Sequence, residues 1–393
     1  MKAKSLKGNS REDIQSALQQ SMADGFKPTL AVIFISVKQD RKAVCEIFHN
    51  EGIDILGATS SGEFIDGYQG EGSIAILLLD LHRDAYTILF EEIGDRSLEE
   101  AAKQLANAAL EKFKRPAFIL CSTSISIGGE YLSGETLVRT IASVIGSQVN
   151  IFGGMAGDDN SFTGTFVFSD ERSSDAAMAV LVLDENKVSL HGIAISGWKP
   201  LGTKRTVTKS HDGWLYSIDD QPALDMYLRY LGRKPVSEEG TLKIFEEIGF
   251  YYPFLSIDAG DPVIRTPLMV NKEKNAIKLD FPIPEGKQLQ FSMPPDFEIV
   301  EDVLEKAGEI KKTGGTEAEA LLVFSCAGRL AALGPMVSSE NEGLHDIWQT
   351  PMAGFFTYGE YGKGANGKDQ FHSTTCSWVA LKEKQDSTEA IKK

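Results

Sequence analysis

The 393-residue chain is short of several things that would have named its chemistry. It has four cysteines, Cys45, Cys121, Cys326 and Cys376, far apart and without a C-x-x-C pair. Three of them lie in or beside strand-like runs, so the expected state is buried free thiols in a reducing compartment, with a catalytic or metal-bound thiol as the alternative. The longest apolar run, Ala176 to Leu183, is too short to cross a bilayer, and no apolar stretch follows the opening MKAKSLKGNSRED. No membrane insertion and a cytoplasmic location are therefore expected. Lys and Arg number 40 against 56 Asp and Glu, a formal charge of −16, with no dense basic run. That balance argues against nucleic acid, whose phosphates must be neutralised by Lys and Arg, and against anionic membrane surfaces. None of the six histidines forms an H-E-x-x-H pair, and there is neither a G-x-S-x-G elbow nor a Walker loop. The expectation is a binding protein rather than an enzyme.

What the chain does have is internal repetition. The run 29–37, TLAVIFISV, reads as a buried strand. A helix is expected over about 39–50, a short strand at 53–56, the glycine turn Gly57-Ala-Thr-Ser-Ser-Gly62-Glu63, and a further strand at 73–80. The order recurs: PAFILCSTS from Pro116, a helix over 134–145 with Leu137, Val138, Ile141 and Val144 at helical spacing, the turn Gly153-Gly154-Met-Ala-Gly157-Asp158-Asp159, and AAMAVLVLD from Ala176. Aligned on Gly57 and Gly153, the two turns stand 96 residues apart. A third copy follows: AEALLVFSC from Ala318, a helix over 340–349, Gly354-Phe-Phe-Thr-Tyr-Gly-Glu360, and a returning strand over 371–381. A helix between strands favours a parallel crossover and a glycine turn an antiparallel return. The expected fold is α/β (α+β): mixed sheets covered by helices, built from repeated β-α-β-turn-β units, in two domains.

The middle of the chain departs from this pattern. Pro222 opens a helix in PALDMYLRYLG and Gly232 closes it. A domain boundary is placed near Asp220, which gives an N-terminal segment 1–26, domains at 27–220 and 221–381, and a polar, frayed tail 382–393. Residues 304–317 read as a surface helix and loop.

Each motif carries a functional and a plainer reading. The first turn could hold a carboxylate or phosphate on its amides and hydroxyls, or could satisfy its own backbone. Asp158 and Asp159 could bind a cation, although their spacing is not that of an EF-hand. Arg329, just past a buried strand, suits a ligand carboxylate or an internal partner such as Glu360 or Glu340. Gly362-Lys-Gly364-Ala-Asn-Gly367 fits G-x-G-x-x-G but reads as a loop, because no crossover helix follows it. His372, followed by Ser373, Thr374 and Thr375, could orient a polar ligand or ligate haem iron.

Taken together, GATSSGEF (57–64), FGGMAGDD (152–159), DDQPALDMYLRYLG (219–232), FSCAGR (324–329), GFFTYGEYG (354–362) and FHSTT (371–375) resemble the FIST family, with its paired FIST N and FIST C sensory domains. The resemblance covers about residues 27–381. It implies small-ligand sensing, with amino acids as the proposed ligands. It also implies signalling to a partner such as a histidine kinase, because the chain shows no output domain of its own. Some stand-alone relatives are described as haem-binding nitric oxide sensors. The positions that match the family's turns are Ser60, Ser61, Gly62, Glu63, Gly153, Gly154 and Asp158, and those that match its C-terminal signature are Arg329, Tyr358, Glu360 and His372. The chain departs from that signature at Ser373, where an amide residue is expected. The leading expectation is a cytoplasmic ligand sensor without a cofactor. A haem sensor and an enzyme using Cys326 or Glu360 with His372 are the alternatives.

Overall fold

The three apolar runs become the inner strands of three six-stranded sheets that share one plan. The computed structural model describes residues 1–170, 172–233, 244, 248–258, 261–313 and 317–384. The first repeat runs β1 (Ala3–Gly8), α1 (Arg11–Met22), β2 (Leu30–Ser36), α2 (Arg41–Asn50), β3 (Asp54–Ser60), a hairpin of β4 (Glu63–Ile65) and β5 (Tyr68–Gly70), and β6 (Ile74–Leu79). The second runs β7 (Tyr86–Glu92), α3 (Leu98–Lys112), β8 (Pro116–Ser122), α4 (Gly134–Ile145), β9 (Ile151–Met155), the pair β10 (Val167–Ser169) and β11 (Arg172–Ser174), and β12 (Ala177–Asp184). The third opens with β13 (Val188–Ile195).

A separate unit then interrupts it, formed by Ser196–Ile299 with Ala331–Gly334. Its elements are β14 (Pro200–His211), β15 (Trp214–Ile218), β16 (Gln221–Pro222), α5 (Ala223–Tyr230), β17 (Phe254–Asp258), β18 (Asp261–Arg265), β19 (Pro267–Asn271), β20 (Ala276–Leu279) and β21 (Gln288–Ser292). The third repeat resumes with α6 (Glu298–Thr313), β22 (Ala320–Cys326), α7 (Ala327–Leu333), α8 (Met336–Trp348), β23 (Met352–Thr357), the hairpin β24 (Glu360–Lys363) and β25 (Asp369–His372), and β26 (Cys376–Glu383).

In each sheet the order is leading strand, return strand, first strand, second strand: β1-β6-β2-β3, β7-β12-β8-β9 and β13-β26-β22-β23. The first and second strands are parallel, and the return strand is antiparallel to the first. Strands buried on both faces need apolar residues at every position, and this is why the three runs are continuous rather than alternating. Along β2, Leu30, Val32 and Phe34 enter a core shared with Ile119 and Cys121 of β8 and with Leu322 and Phe324 of β22. Ala31, Ile33 and Ile35 belong to a second core with Ile14, Leu18, Val44 and Phe48 of α1 and α2. Phe34 stacks on Phe355 at 4.4 Å, joining the first repeat to the third. Helix starts follow local chemistry: Ser10, Asp40 and Ser133 cap α1, α2 and α4, and Ser97 with Glu100 forms a capping box on α3.

The sheets are completed by exchange. The hairpin after β3 pairs with β23, the one after β9 pairs with β3, and the one after β23 pairs with β9. At each junction an aromatic residue of the incoming strand stands opposite a glycine: Phe64 on Gly354, Phe168 on Gly57, Tyr361 on Gly153. A Cβ on Gly57 would fall inside the Phe168 ring, and one on Gly354 inside Phe64. Gly153 has φ 148°, and a Cβ there would strike the Leu120 carbonyl. These glycines admit neighbouring strands of the same chain.

Residues 1–26 are not a leading appendage: β1 pairs with β6 along its whole length and α1 covers β2. Only Leu6 and Gly8 of β1 are buried, so it has no apolar run by which to be recognised. The inserted unit begins at Ser196, so it extends to both sides of Asp220. Asp219 and Asp220, with φ 47° and 58°, form a turn between β15 and β16. The described sheet of the inserted unit is antiparallel, ordered β18-β17-β21-β14-β15-β20-β19, and its core gathers Val207, Leu224, Tyr227, Phe254, Ile277 and Phe291. Lys382 and Glu383 belong to β26, and the remainder of the expected tail, 385–393, lies outside the described residues.

Candidate functional site

The parallel strand pairs fix the equivalence of the three turns. The last register partners are Ser36 with Ser60, Ser122 with Met155, and Cys326 with Thr357. Three residues further on stand Glu63, Asp158 and Glu360, so Asp158 and not Asp159 is the counterpart of the two glutamates. Alignment on Gly57 and Gly153 is therefore one residue out of register for the second repeat.

The turns bond to one another in a ring. Ser61 N donates to Phe356 O at 3.0 Å and Phe356 N to Gly62 O at 2.8 Å. Gly157 N donates to Thr59 O at 2.9 Å and Asp159 N to Ser60 O at 3.0 Å. Met155 N donates to Gly359 O at 2.8 Å and Tyr358 N to Met155 O at 3.1 Å. All three turns thus meet at the carboxyl ends of the parallel strands, where open α/β sheets place their ligands.

The carboxylates organise these turns. Glu63 and Glu360 are fully buried. Glu63 accepts from the Ser60 hydroxyl and from the amide and hydroxyl of Ser73, at 2.9 and 2.7 Å. Glu360 repeats the arrangement with Thr357 and with the amide and hydroxyl of Thr375, at 3.1 and 2.8 Å. Burial pushes both up to about 7, and the hydrogen bonds offset it only in part. Asp158 behaves otherwise. Burial would raise it, but the Tyr358 hydroxyl, the amides of Thr163 and Gly164 and the Ser161 hydroxyl together hold it below the usual carboxylate range. It also accepts from Phe162 N at 3.0 Å.

One side chain from each turn enters a single hydrogen-bonded group. Tyr358 of the third donates to Asp158 of the second at 2.5 Å, and Ser61 of the first is a further partner of the Tyr358 hydroxyl. Asn160 N donates to Ser61 Oγ at 3.4 Å. Phe162 covers the group, its ring stacked 4.9 Å from that of Tyr358. Asp159, Asn160 and Phe162 hold φ of 55°, 60° and 53°. That conformation is tolerable for Asp and Asn but strained for a bulky aromatic residue, and the bonds to Asp158 maintain it.

Of the residues singled out from sequence, Ser60, Ser61, Gly62, Glu63, Gly153, Gly154, Asp158, Tyr358 and Glu360 lie in this ring, and His372 stands opposite Glu360 in the β24–β25 ladder. Gly154 lies against Thr357. Arg329 lies beside Cys326 and Cys376, next to the Glu360 turn. It is wholly buried and bonded to Glu340 through Nε, at 3.0 and 3.1 Å, and through a terminal nitrogen. Of its alternative readings, the structure gives it the internal partner. His372 Nε2 is 3.2 Å from Gly362 O. The Cys326 thiol donates to Glu360, and burial raises its pKa far above the ordinary thiol value, which opposes the thiolate a nucleophile needs. All four cysteines are free and buried. Among the described residues no group of three His, Cys, Asp or Glu side chains is arranged to hold a metal ion. The G-x-G-x-x-G stretch, Gly362–Gly367, covers the end of β24 and the turn into β25. Sequence reasoning missed Phe162, and missed Ser73 and Thr375 as the partners of Glu63 and Glu360. Ser73 and Thr375 stand just before equivalent return strands, so comparison of the repeats could have found them; Phe162 carries no motif.

Among the described residues, no helix is long and apolar enough to cross a membrane. An uncharacterized protein of Methanocaldococcus jannaschii, MJ1623, is 24% identical over 315 residues, covering 76% of this chain. The chain spans 60% of that relative's length. Solved structures of Thermotoga maritima PurL complexed with ATP and of T. maritima PurLQS match at 12% and 11% identity. They cover 97% and 98% of this chain, and 71% and 72% of theirs, with TM-scores of 0.19 and 0.22, too low to carry an argument. The FIST N domain model matches residues 29–221 and the FIST C domain model 223–363, so the C-domain match runs from the inserted unit into the third repeat. On these two matches, the chain belongs to the FIST family of sensory domains.

Proposed function

We propose that the protein senses a small ligand, an amino acid or similar metabolite, at the junction of its three turns, and passes the signal to a partner such as a histidine kinase. One observation carries this reading: Ser61, Asp158 and Tyr358, one from each repeat, share a hydrogen-bonded group under the strained Phe162. A polar ligand that takes the place of the Phe162 ring would find a phenol, a carboxylate and a hydroxyl already positioned. Release of Phe162 from its left-handed conformation would offset part of the cost of displacing it. The ligand then shifts a population between two states of the 158–164 loop, and the partner reads that shift. In this reading Arg329 supports the fold and does not bind the ligand, because Glu340 occupies it.

The test is a thermal-melt screen of amino acids, amines and organic acids against the full chain. Saturation at 100 times Kd stabilises by about 2.7 kcal/mol. Tyr358→Phe should reduce the response to the active compound. A flat response across the whole panel defeats the proposal.

A further inference from the structure

Only in the second repeat does the carboxylate stand apart from the strand that follows it. β4 begins at Glu63 and β24 at Glu360, so in the first and third repeats the carboxylate residue is already paired with a neighbouring repeat. β10 begins at Val167, nine residues after Asp158. Both ends of this extra segment are fixed: Gly157 N donates to Thr59 O at 2.9 Å, Thr59 N to Phe166 O at 2.9 Å and Thr165 N to Ile125 O at 2.8 Å. Its middle, Asn160 to Thr163, is exposed, and the Phe162 ring lies on Tyr358. Asp159 ties the segment to the first repeat. Its carboxylate accepts from the wholly buried Ser36 hydroxyl at 2.7 Å, at the end of β2, and stands 3.2 Å from Lys38 Nζ.

We infer that residues 159–163 form a gate over the Tyr358 phenol, and that the Asp159 contact with Ser36 and Lys38 is the latch that holds it shut. The inference rests on the reading of this junction as a ligand site and adds what regulates entry to it. The Phe162 ring covers the phenol, so entry requires this segment to move. Asp158 and Tyr358 hold the segment to the third repeat, and Asp159 holds it to the first through Ser36, Lys38 and the Ser60 carbonyl. With Asp159 released, the gate is held on one side only and its open population rises. The left-handed backbone of Phe162, with φ 53°, pulls in the same direction, because opening relieves it. The two arms of the latch respond differently to solvent. Lys38 is 71% exposed, so salt screens its attraction, whereas the bond from the buried hydroxyl is not screened.

Chymotrypsin cleavage of the full chain, with fragments identified by mass, reads the gate, because Phe162 is an exposed aromatic residue within it. Tyr131 and Phe297, 75% and 74% exposed, lie outside it and serve as controls. Cleavage tracks the open population when opening and closing are fast. Asp159→Asn should speed cleavage after Phe162 by about tenfold relative to the control sites, with the melting temperature unchanged. Lys38→Met should speed it by about twofold to fivefold. Salt at about 1 M should bring the wild type to the rate of Lys38→Met and leave that variant unmoved. Unchanged cleavage after Phe162 in Asp159→Asn overturns the latch. So does an equal rise at all three sites, which would mean general loosening. The thermal-melt screen separates the two proposals. If a compound shifts the wild-type melt while Asp159→Asn changes neither Phe162 cleavage nor that compound's affinity, the sensor stands and the gate falls. If no compound shifts the melt but cleavage rises at Phe162 alone, the sensor falls and the latch stands.

Discussion

Arg329 on α7 and Glu340 on α8 form a wholly buried ion pair in which the carboxylate meets both Nε and a terminal guanidinium nitrogen. Removal of one partner leaves the other charge buried and uncompensated. Arg329→Ala should therefore cost about 3–5 kcal/mol, and the double change Arg329→Met, Glu340→Leu should recover most of it. Urea denaturation of the single and double variants measures both. An Arg329→Ala protein of wild-type stability would contradict the pairing.

Asp158 is the anchor of the 158–164 loop. Asp158→Ala removes the acceptor for the amides of Phe162, Thr163 and Gly164 and for Tyr358. Hydrogen exchange at those three amides should accelerate by at least about tenfold, because each lost bond to a charged group is worth about 1.5–3 kcal/mol. Tyr358→Phe, which removes a single bond, should have a smaller effect on the same amides.

Glu63 and Glu360 should make stability fall as pH rises. Their pKa values are raised in the folded protein to about 7, above the ordinary carboxyl value of about 4.3 that holds in the unfolded chain. Between those values the folded state binds more protons, so the stability these groups contribute is fully present below about pH 4.3 and is lost as pH climbs through 7. The double variant Glu63→Gln, Glu360→Gln should flatten the melting temperature against pH between about 5 and 8. A slope equal to that of the wild type would show that other groups are responsible.

Gly57→Ala should destabilise by about 1–3 kcal/mol, because the new methyl meets the Phe168 ring. Phe168→Leu in the same background should recover part of the loss. A double-mutant cycle gives the coupling, and additive losses would mean that the ring and the glycine do not oppose one another as described.

The comparison of sequence and structure divides along a physical line. The helices expected over 39–50 and 134–145 are α2 and α4, because an apolar stripe at helical spacing and a polar cap are local signals. β2, β8 and β22 were legible because a strand buried on both faces is apolar along most of its length. β1 was not, because only Leu6 and Gly8 are buried in it, and α1 was passed over although Ser10 caps it and Ile14 and Leu18 stand at helical spacing. At the site, the turns were visible as repeats, and Ser61, Glu63, Asp158, Tyr358 and Glu360 came from the resemblance to the FIST motifs. Phe162 was not, because its importance comes from a ring 196 positions away in the chain and from a backbone conformation its side chain does not announce.

The sequence by itself determined three β-α-β-turn-β units, since periodicity, capping and turn chemistry act over a few residues, and strand register was needed to choose Asp158 over Asp159 in the second turn. Only the tertiary structure decided that each unit lends its hairpin to another, that Gly57 and Gly354 receive aromatic residues of the same chain, and that a second unit interrupts the third repeat. It also chose Glu340 over Glu360 as the partner of Arg329. These choices are fixed by strand pairing and burial between distant segments, and local sequence carries no term for either.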